Sequence, residues 1–222
     1  EALPYQAPEE PISLNELANF LKKPIDTFYQ RRLQVRFEAV EEDDTDNENF
    51  DLNGLDRWRL DNELIQEGVV KAASEEELHE RLEATLDRMA RRGDLGMGVT
   101  EHRLRTELAG RLPDLFQRYR GALTEWPEAV AEPLPFECRY SDSTGAVEVV
   151  DLIDNLRCNP SGQLCRLVIA NAGLLTGSGY SKKVRYANLL RDWLIHLAGQ
   201  LSGQPFETVI LGKEEGRKFH FP

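Results

Sequence analysis

The 222 residues carry 39 acidic against 27 basic side chains, a net charge of −12, with 41% hydrophobic and 30% charged residues. Such a chain buries one sizeable core or two small ones without cofactor or disulfide staples, and its acidity excludes a surface that grips polyanions everywhere. No apolar run is long enough to cross a membrane and nothing reads as a signal peptide, so the expected location is cytoplasmic; Cys138, Cys158 and Cys165 lack metal-site spacing and read as reduced.

Glu1 opens the chain in place of Met, and Glu1 to Pro11 holds three prolines, as an interdomain tether does. The expectation is one domain excised from a longer chain: a linker over 1–11, a mainly helical part over 12–132 and a sheet-containing core over 133–222. Ser13-Leu14-Asn15-Glu16 is a capping box, with Ile12 and Leu17 placed to staple the helix entry. Leu14, Leu17 and Leu21 share a face. Pro24 suits the first position of a second helix, in which Ile25, Phe28, Tyr29 and Leu33 are expected to be buried while Lys22, Lys23, Arg31 and Arg32 stay wet.

The run Glu41-Glu42-Asp43-Asp44-Thr45-Asp46-Asn47-Glu48-Asn49 repels itself and reads as a solvated loop; a metal-binding loop needs a glycine and regular ligand spacing that it lacks. Leu60, Leu64 and Ile65 mark a short amphipathic helix. Ser74-Glu75-Glu76-Glu77 is a second capping box, opening a helix with the stripe Leu78, Leu82, Leu86 and Met89 and ending at Arg91, Arg92 and Gly93. The cluster from Gly93 to Gly98 precedes a helix beginning near Thr100. It is no phosphate loop, since it has no strand before it and no Gly-Lys-Ser/Thr ending. Helices with Leu104, Leu108 and Leu112, then Leu115, Phe116, Tyr119 and Leu123, follow, and Pro113 starts or kinks the second.

After Pro133 and Pro135 the apolar period changes to two. Phe136–Tyr140, Ala146–Leu156 and Gln163–Asn171 read as strands, with hairpin turns at Asp142–Gly145 and Asn159–Gly162, giving a small, mainly antiparallel sheet. Ser181–Ser202 reads as a helix with Ala187, Leu190, Leu194, Leu197 and Leu201 on one face, and Glu207–Gly212 as a closing strand before a charged tail.

A divalent metal needs several oxygen ligands, and metal-dependent nuclease chemistry adds a lysine beside them. Glu148 and Asp154 fall on one face of the second strand and Asp151 on the other. The next strand, Arg166-Leu167-Val168-Ile169-Ala170-Asn171, supplies neither acid nor lysine. An active nuclease using Glu148 and Asp154, with Lys182 or Lys183 recruited, is the enzymatic alternative. His79, His102, His196 and His220 are scattered; His196 reads as a packing or hydrogen-bonding residue near the sheet. Lys182, Lys183, Arg185 and Arg191 are the candidate contacts to a DNA backbone, with a solvated helix face as the plainer reading. Trp58, Trp126 and Trp193 are not interleaved with basic runs as a single-strand groove requires.

Several stretches together resemble a known family. Ser13-Leu14-Asn15-Glu16-Leu17, then Lys23-Pro24-Ile25-Asp26-Thr27-Phe28-Tyr29 and Leu33-Gln34-Val35-Arg36-Phe37, resemble the start of the C-terminal domain of RecC, the gamma subunit of exodeoxyribonuclease V. So do Phe50-Asp51-Leu52-Asn53-Gly54-Leu55, the helix Leu189-Leu190-Arg191-Asp192-Trp193-Leu194-Ile195-His196-Leu197, and the closing Phe219-His220-Phe221-Pro222. The resemblance spans essentially the whole chain. It implies a mixed α/β, restriction-endonuclease-like core of the PD-(D/E)XK type, a small mixed sheet flanked by helices behind a helical N-terminal part. In an active member of that class one strand carries an acid and the next an acid-x-Lys. Here Asp154 stands about where the first acid belongs, while Val168, Ile169, Ala170 and Asn171 occupy the second strand, which implies a relic without catalysis. The family further implies RecB and RecD as partners in an ATP-dependent helicase-nuclease for double-strand-break repair, with ATP and Mg²⁺ used by those subunits and none bound here.

Overall fold

The computed structural model describes residues 8, 10–35, 52–143, 145–176, 183–213 and 218–222. The acidic run 41–49 and Lys182 lie outside them, as do most of the 1–11 segment and the Arg36-Phe37 and Phe50-Asp51 parts of the quoted motifs.

Helices α1 (Leu14–Lys22), α2 (Pro24–Arg32), α3 (Gly54–Leu64), α4 (Glu75–Arg91), α5 (Val99–Ala109) and α6 (Leu112–Glu125) precede a β-rich half. There β1 (Glu128–Ala129), β2 (Leu134–Ser141), β3 (Ala146–Ile153), β4 (Leu156–Cys158), β5 (Leu164–Ala170), β6 (Leu175–Thr176) and β7 (Lys183–Val184) lead to α7 (Tyr186–Leu201), β8 (Phe206–Gly212) and β9 (Lys218–Phe221).

Local chemistry accounts for most helix starts. Ser13 Oγ accepts from the Glu16 amide at 3.1 Å and Glu16 returns to the Ser13 amide at 2.9 Å, the reciprocal box expected. At α4 the reciprocity differs: Ser74 accepts from the Glu77 amide, but the Glu77 carboxylate reaches one residue further back, to the Ala73 amide at 2.8 Å. Pro113 sits in the first turn of α6, so it opens that helix without kinking the one before it. The α3 helix runs into a π-helical turn, Ile65–Val69, whose Gly68 lets the Leu82 side chain approach so closely that a Cβ there would lie 2.6 Å from its Cδ2.

The expected small, mainly antiparallel mixed sheet is present as the five-stranded β1-β4-β5-β8-β9, but the β2–β3 hairpin stands outside it as a separate ladder, as does β6–β7. Within the large sheet β5 and β8 are parallel and the other neighbours antiparallel. The expected strand Ala146–Leu156 is broken, because Asn155 adopts the left-handed region at φ 59° and turns the chain out of the hairpin into the large sheet. Asparagine is one of the few residues that tolerates this conformation. The 159–162 turn forms as expected: Asn159 Oδ1 accepts from the amides of Ser161 and Gln163.

Alternation along the parallel pair assigns the two faces. Cys165 and Leu167 of β5, with Val209 and Leu211 of β8, join the cluster of Leu60, Leu64, Leu86, Met89, Leu104 and Leu115 from α3–α6. On the opposite face Leu164 and Phe206 meet Ile195 and Ala198 of α7, Leu14 of α1, and Phe136 and Ile153 of the hairpin, while Ile210 packs with Leu189.

Two expected stripes are overturned. The α2 helix buries no residue, and Ile25 is 68% exposed, because among the described residues it leans chiefly on α1 and has no second neighbour to cover its apolar side. The long helix starts at Tyr186, since Lys183 and Val184 pair with β6, and it buries Leu189, Ile195, His196, Ala198 and Gly199. The stripe Ala187, Leu190, Leu194, Leu197 and Leu201 lies on its outer side, with Leu201 72% exposed. Among the described residues no helix is long and apolar enough to cross a membrane.

Candidate functional site

Asp154 lies at the break between β3 and β4, exposed to solvent. The ladder pairs Leu156 with Arg166, Asn155 O accepts from the Leu167 amide at 3.0 Å, and Asp154 precedes that last bond, while β5 goes on to Val168. Around Val168 the strand offers only Leu167, Ile169 and Ala170. Its last polar neighbour, Asn171, is buried and committed elsewhere. The Asn171 amide donates to the Trp58 carbonyl at 2.7 Å, and its Oδ1 lies 3.4 Å from Lys213 Nζ. Lys213 is in turn paired with Asp61 at 2.6 Å. This knot ties the carboxyl ends of β5 and β8 to α3, and among the described residues Asp154 makes no ion pair.

Glu148 does share a strand face with Asp154, yet six residues of extended chain separate them by about 20 Å, too far to ligate one ion. Asp151, on the other face, accepts from the Leu14 amide at 2.8 Å and so serves as a second cap of α1. Among the described residues no group of three His, Cys, Asp or Glu side chains is close enough to hold a metal. The described residues therefore do not fit the acid, acid-x-Lys centre.

Lys183, Arg185 and Arg191 are all exposed, Lys183 in β7, Arg185 just before α7 and Arg191 within it. Arg185 Nη2 lies 3.5 Å from Thr176 Oγ1; Lys183 and Arg191 make no ion pair among the described residues. Tyr186 and Trp193 of the same helix are 78% and 44% exposed, on the side of α7 away from Arg191.

Beneath α7 lies a buried polar layer. Arg166 Nη1 pairs with Asp192 at 2.7 Å, with 4% and 14% of their side chains exposed, and Arg166 Nε has no protein partner. His196 Nδ1 lies 3.2 Å from Thr208 Oγ1, its ring against Phe206 and Phe221, which is the packing role expected of it. Burial foremost, and nearby His220 second, push the His196 pKa below its ordinary value. Burial also pushes the Cys165 thiol up to about 12, so it is inert as a nucleophile. The sequence reading passed over the Arg166–Asp192 pair. Its signal was present: an arginine inside Leu164-Cys165-Arg166-Leu167 requires a buried acid from another element.

These features define a mixed α/β protein of helices and a small mixed sheet, with no metal centre assembled among the described residues. The model of the RecC C-terminal domain family matches residues 9–217, and the chain belongs to that family. It is 39% identical over 56 residues to the RecBCD enzyme subunit RecC of Haemophilus influenzae, covering 25% of this chain and 5% of that protein. To the RecBCD enzyme subunit RecC of Escherichia coli K12 it is 33% identical over 87 residues, covering 39% of this chain and 8% of that protein. The matched stretches are thus a small part of those relatives' lengths.

Proposed function

We propose that this chain is a non-catalytic, nuclease-like domain that docks protein subunits and lines a DNA path in an ATP-dependent helicase-nuclease processing double-strand ends for recombinational repair. Family membership and the naming of its relatives as subunits of a RecBCD enzyme support the assembly role. The observation that carries the non-catalytic part is the make-up of β5, the strand bonded at the β3–β4 break, which offers Val168, Ile169, Ala170 and then the already bonded Asn171, with no acid and no lysine.

In this reading the broken strand β3–β4 and the strand β5 are the remnants of the two acid-bearing strands of a restriction-endonuclease-like core, and residues 12–222 form one unit. RecB and RecD are the docking partners, and ATP and Mg²⁺ chemistry belongs to them. DNA contacts, where made, come from Lys182, Lys183, Arg185 and Arg191.

The test is co-purification of the untagged chain with tagged RecB and with tagged RecD from the same source, at moderate and high salt, beside an assay for Mg²⁺-dependent cleavage of linear DNA. Retention by at least one subunit and no cleavage are expected. Retention by neither sinks the docking reading, and cleavage abolished by Asp154→Asn sinks the non-catalytic one.

A further inference from the structure

We infer that β2 pairs with β2 of a second copy of this chain, antiparallel about a two-fold axis at Cys138, so that the two hairpins join into one sheet; this goes beyond the docking reading and is independent of it. Each residue of β2, from Leu134 to Ser141, has a neighbour on β3. The far side of β3 is covered, because Ile12 donates to the Glu148 carbonyl at 2.9 Å and accepts from the Val150 amide at 3.1 Å. Those bonds, with the Asp142 amide donating to the Gly145 carbonyl at 2.9 Å, fix the direction of the backbone groups. Even-numbered residues of β2 bond to β3, and the amides and carbonyls of Glu137, Arg139 and Ser141 point away from it. Among the described residues no strand or other backbone group takes them up. Glu137, Arg139, Tyr140 and Ser141 are exposed, so this edge is open to another chain.

The residues of the strand select the occupant. Pro135-Phe136-Glu137-Cys138-Arg139-Tyr140-Ser141 complements itself when laid antiparallel about Cys138. Glu137 of each copy then stands opposite Arg139 of the other, so the two exchange both backbone bonds and bring opposite charges together on the outer face. Neither side chain is otherwise engaged among the described residues, although Glu148 stands opposite Arg139 within the hairpin. The Ser141 amide meets the carbonyl of Pro135, whose missing N–H leaves unpaired only a carbonyl at the strand end, and Phe136 faces Tyr140 on the inner side. A slip of two residues sets Glu137 or Arg139 against its own copy, and a slip of one turns the bonding groups away, so a single register survives. Such an arrangement is isologous and closes as a dimer. One strand edge buries little, in the class below about 1,200 Å² of total area, so the dimer is weak and concentration-dependent. On the axis the two Cys138 Cα atoms stand about 4.5 Å apart, inside the span of a disulfide.

The experiment is sedimentation equilibrium of the full, reduced chain over a concentration series reaching the millimolar range, with amide hydrogen exchange at Glu137, Arg139 and Ser141 as the report from the edge. The chain should dimerise, and exchange at those three amides should slow as concentration rises. Glu137→Arg and Arg139→Glu, surface changes that circular dichroism should find folded, should each weaken the dimer about tenfold or more by setting like charges opposite each other. The double swap, and an equimolar mixture of the two single variants, should restore it. Diamide, which takes up the two thiol hydrogens as the disulfide forms, should cross-link the Cys158→Ser chain through Cys138 and leave Cys138→Ser uncross-linked. A chain that stays monomeric throughout the series overturns the proposal, as does a dimer indifferent to the charge changes or not restored by the swap. A cross-link that survives Cys138→Ser, or a dimer with none through Cys138, refutes the register and with it the proposal. Protection of the three amides that appears only when RecB or RecD is added overturns it too, and assigns the edge to a strand of that subunit.

Discussion

On one face of the five-stranded sheet Cys165, Leu167, Val209 and Leu211 meet four helices whose inward leucines, among them Leu60, Leu64, Leu86 and Leu115, are enclosed; on the other, Arg166, Thr208 and Ile210 meet α7, whose outer side carries exposed Trp193 and Leu201. The first face is self-sufficient. Its cluster is built from α3–α6, apolar throughout, and anchored by two polar ties at the strand ends, Asp61–Lys213 and the Arg118 guanidinium donating to the Gly212 carbonyl. The second face carries a buried ion pair and a buried imidazole under α7, with α1 and the β2–β3 hairpin packed beside that helix. The exposed apolar outer side of α7 is the feature on which the proposed docking role would rest.

The comparison can be broken hardest at the ion pair. Asp192→Asn strands the Arg166 guanidinium in the interior and should cost about 3–5 kcal/mol in denaturant unfolding, whereas Arg166→Met with Asp192→Leu together should recover most of that loss. If the single change were neutral, the polar layer would not be the keystone of that face. Next in size, Leu64→Ala in the enclosed bundle should cost about 2–5 kcal/mol, while Leu201→Ala on bare α7 should stay within about 0.5 kcal/mol.

Glycines give a finer contrast. A Cβ at Gly199 would stand 2.1 Å from the buried Phe206 ring, but one at Gly68 would meet the movable end of Leu82. Gly199→Ala should therefore cost about 3 kcal/mol, and Gly68→Ala about 1, measured by thermal unfolding. Smallest is the effect of pH on His196. Its folded pKa lies below its ordinary 6.5, so the unfolded chain takes up the proton first and stability falls as pH drops through about 6.5, levelling once the folded imidazole also protonates. His196→Gln should flatten that segment of the stability–pH curve.

The bundle was legible in sequence because its helices obey local rules: the capping Ser74, the Pro113 start, period-3.6 leucines, and Gly93 in the left-handed region at φ 81°. The α7 side was misread for a physical reason. That helix is apolar nearly all round, so periodicity picked the leucine stripe 187–190–194–197–201, while the buried side is set by small residues, Ala198 and Gly199, pressed on the sheet. The strand break at Asn155 was hidden because Leu152-Ile153-Asp154-Asn155-Leu156 reads as continuous β pattern, and only backbone geometry shows that it serves two sheets. At the candidate site, the missing acid and lysine of β5 were visible as plain composition. The knot of Asp61, Asn171 and Lys213 was not, as its members lie up to 152 residues apart.

Parallel pairing of β5 with β8 also sets an order of assembly. The α3–α6 helices make mostly near-neighbour contacts and can associate early, while the central seam of the sheet must wait for the β6–β7 ladder and the whole of α7 to be threaded between its strands. Until then the bundle's inner surface, destined for Val209 and Leu211, is open to water and to other chains. The slow step of folding should accordingly be closure of that seam, and the species exposed to aggregation is a formed helical cap waiting for its floor.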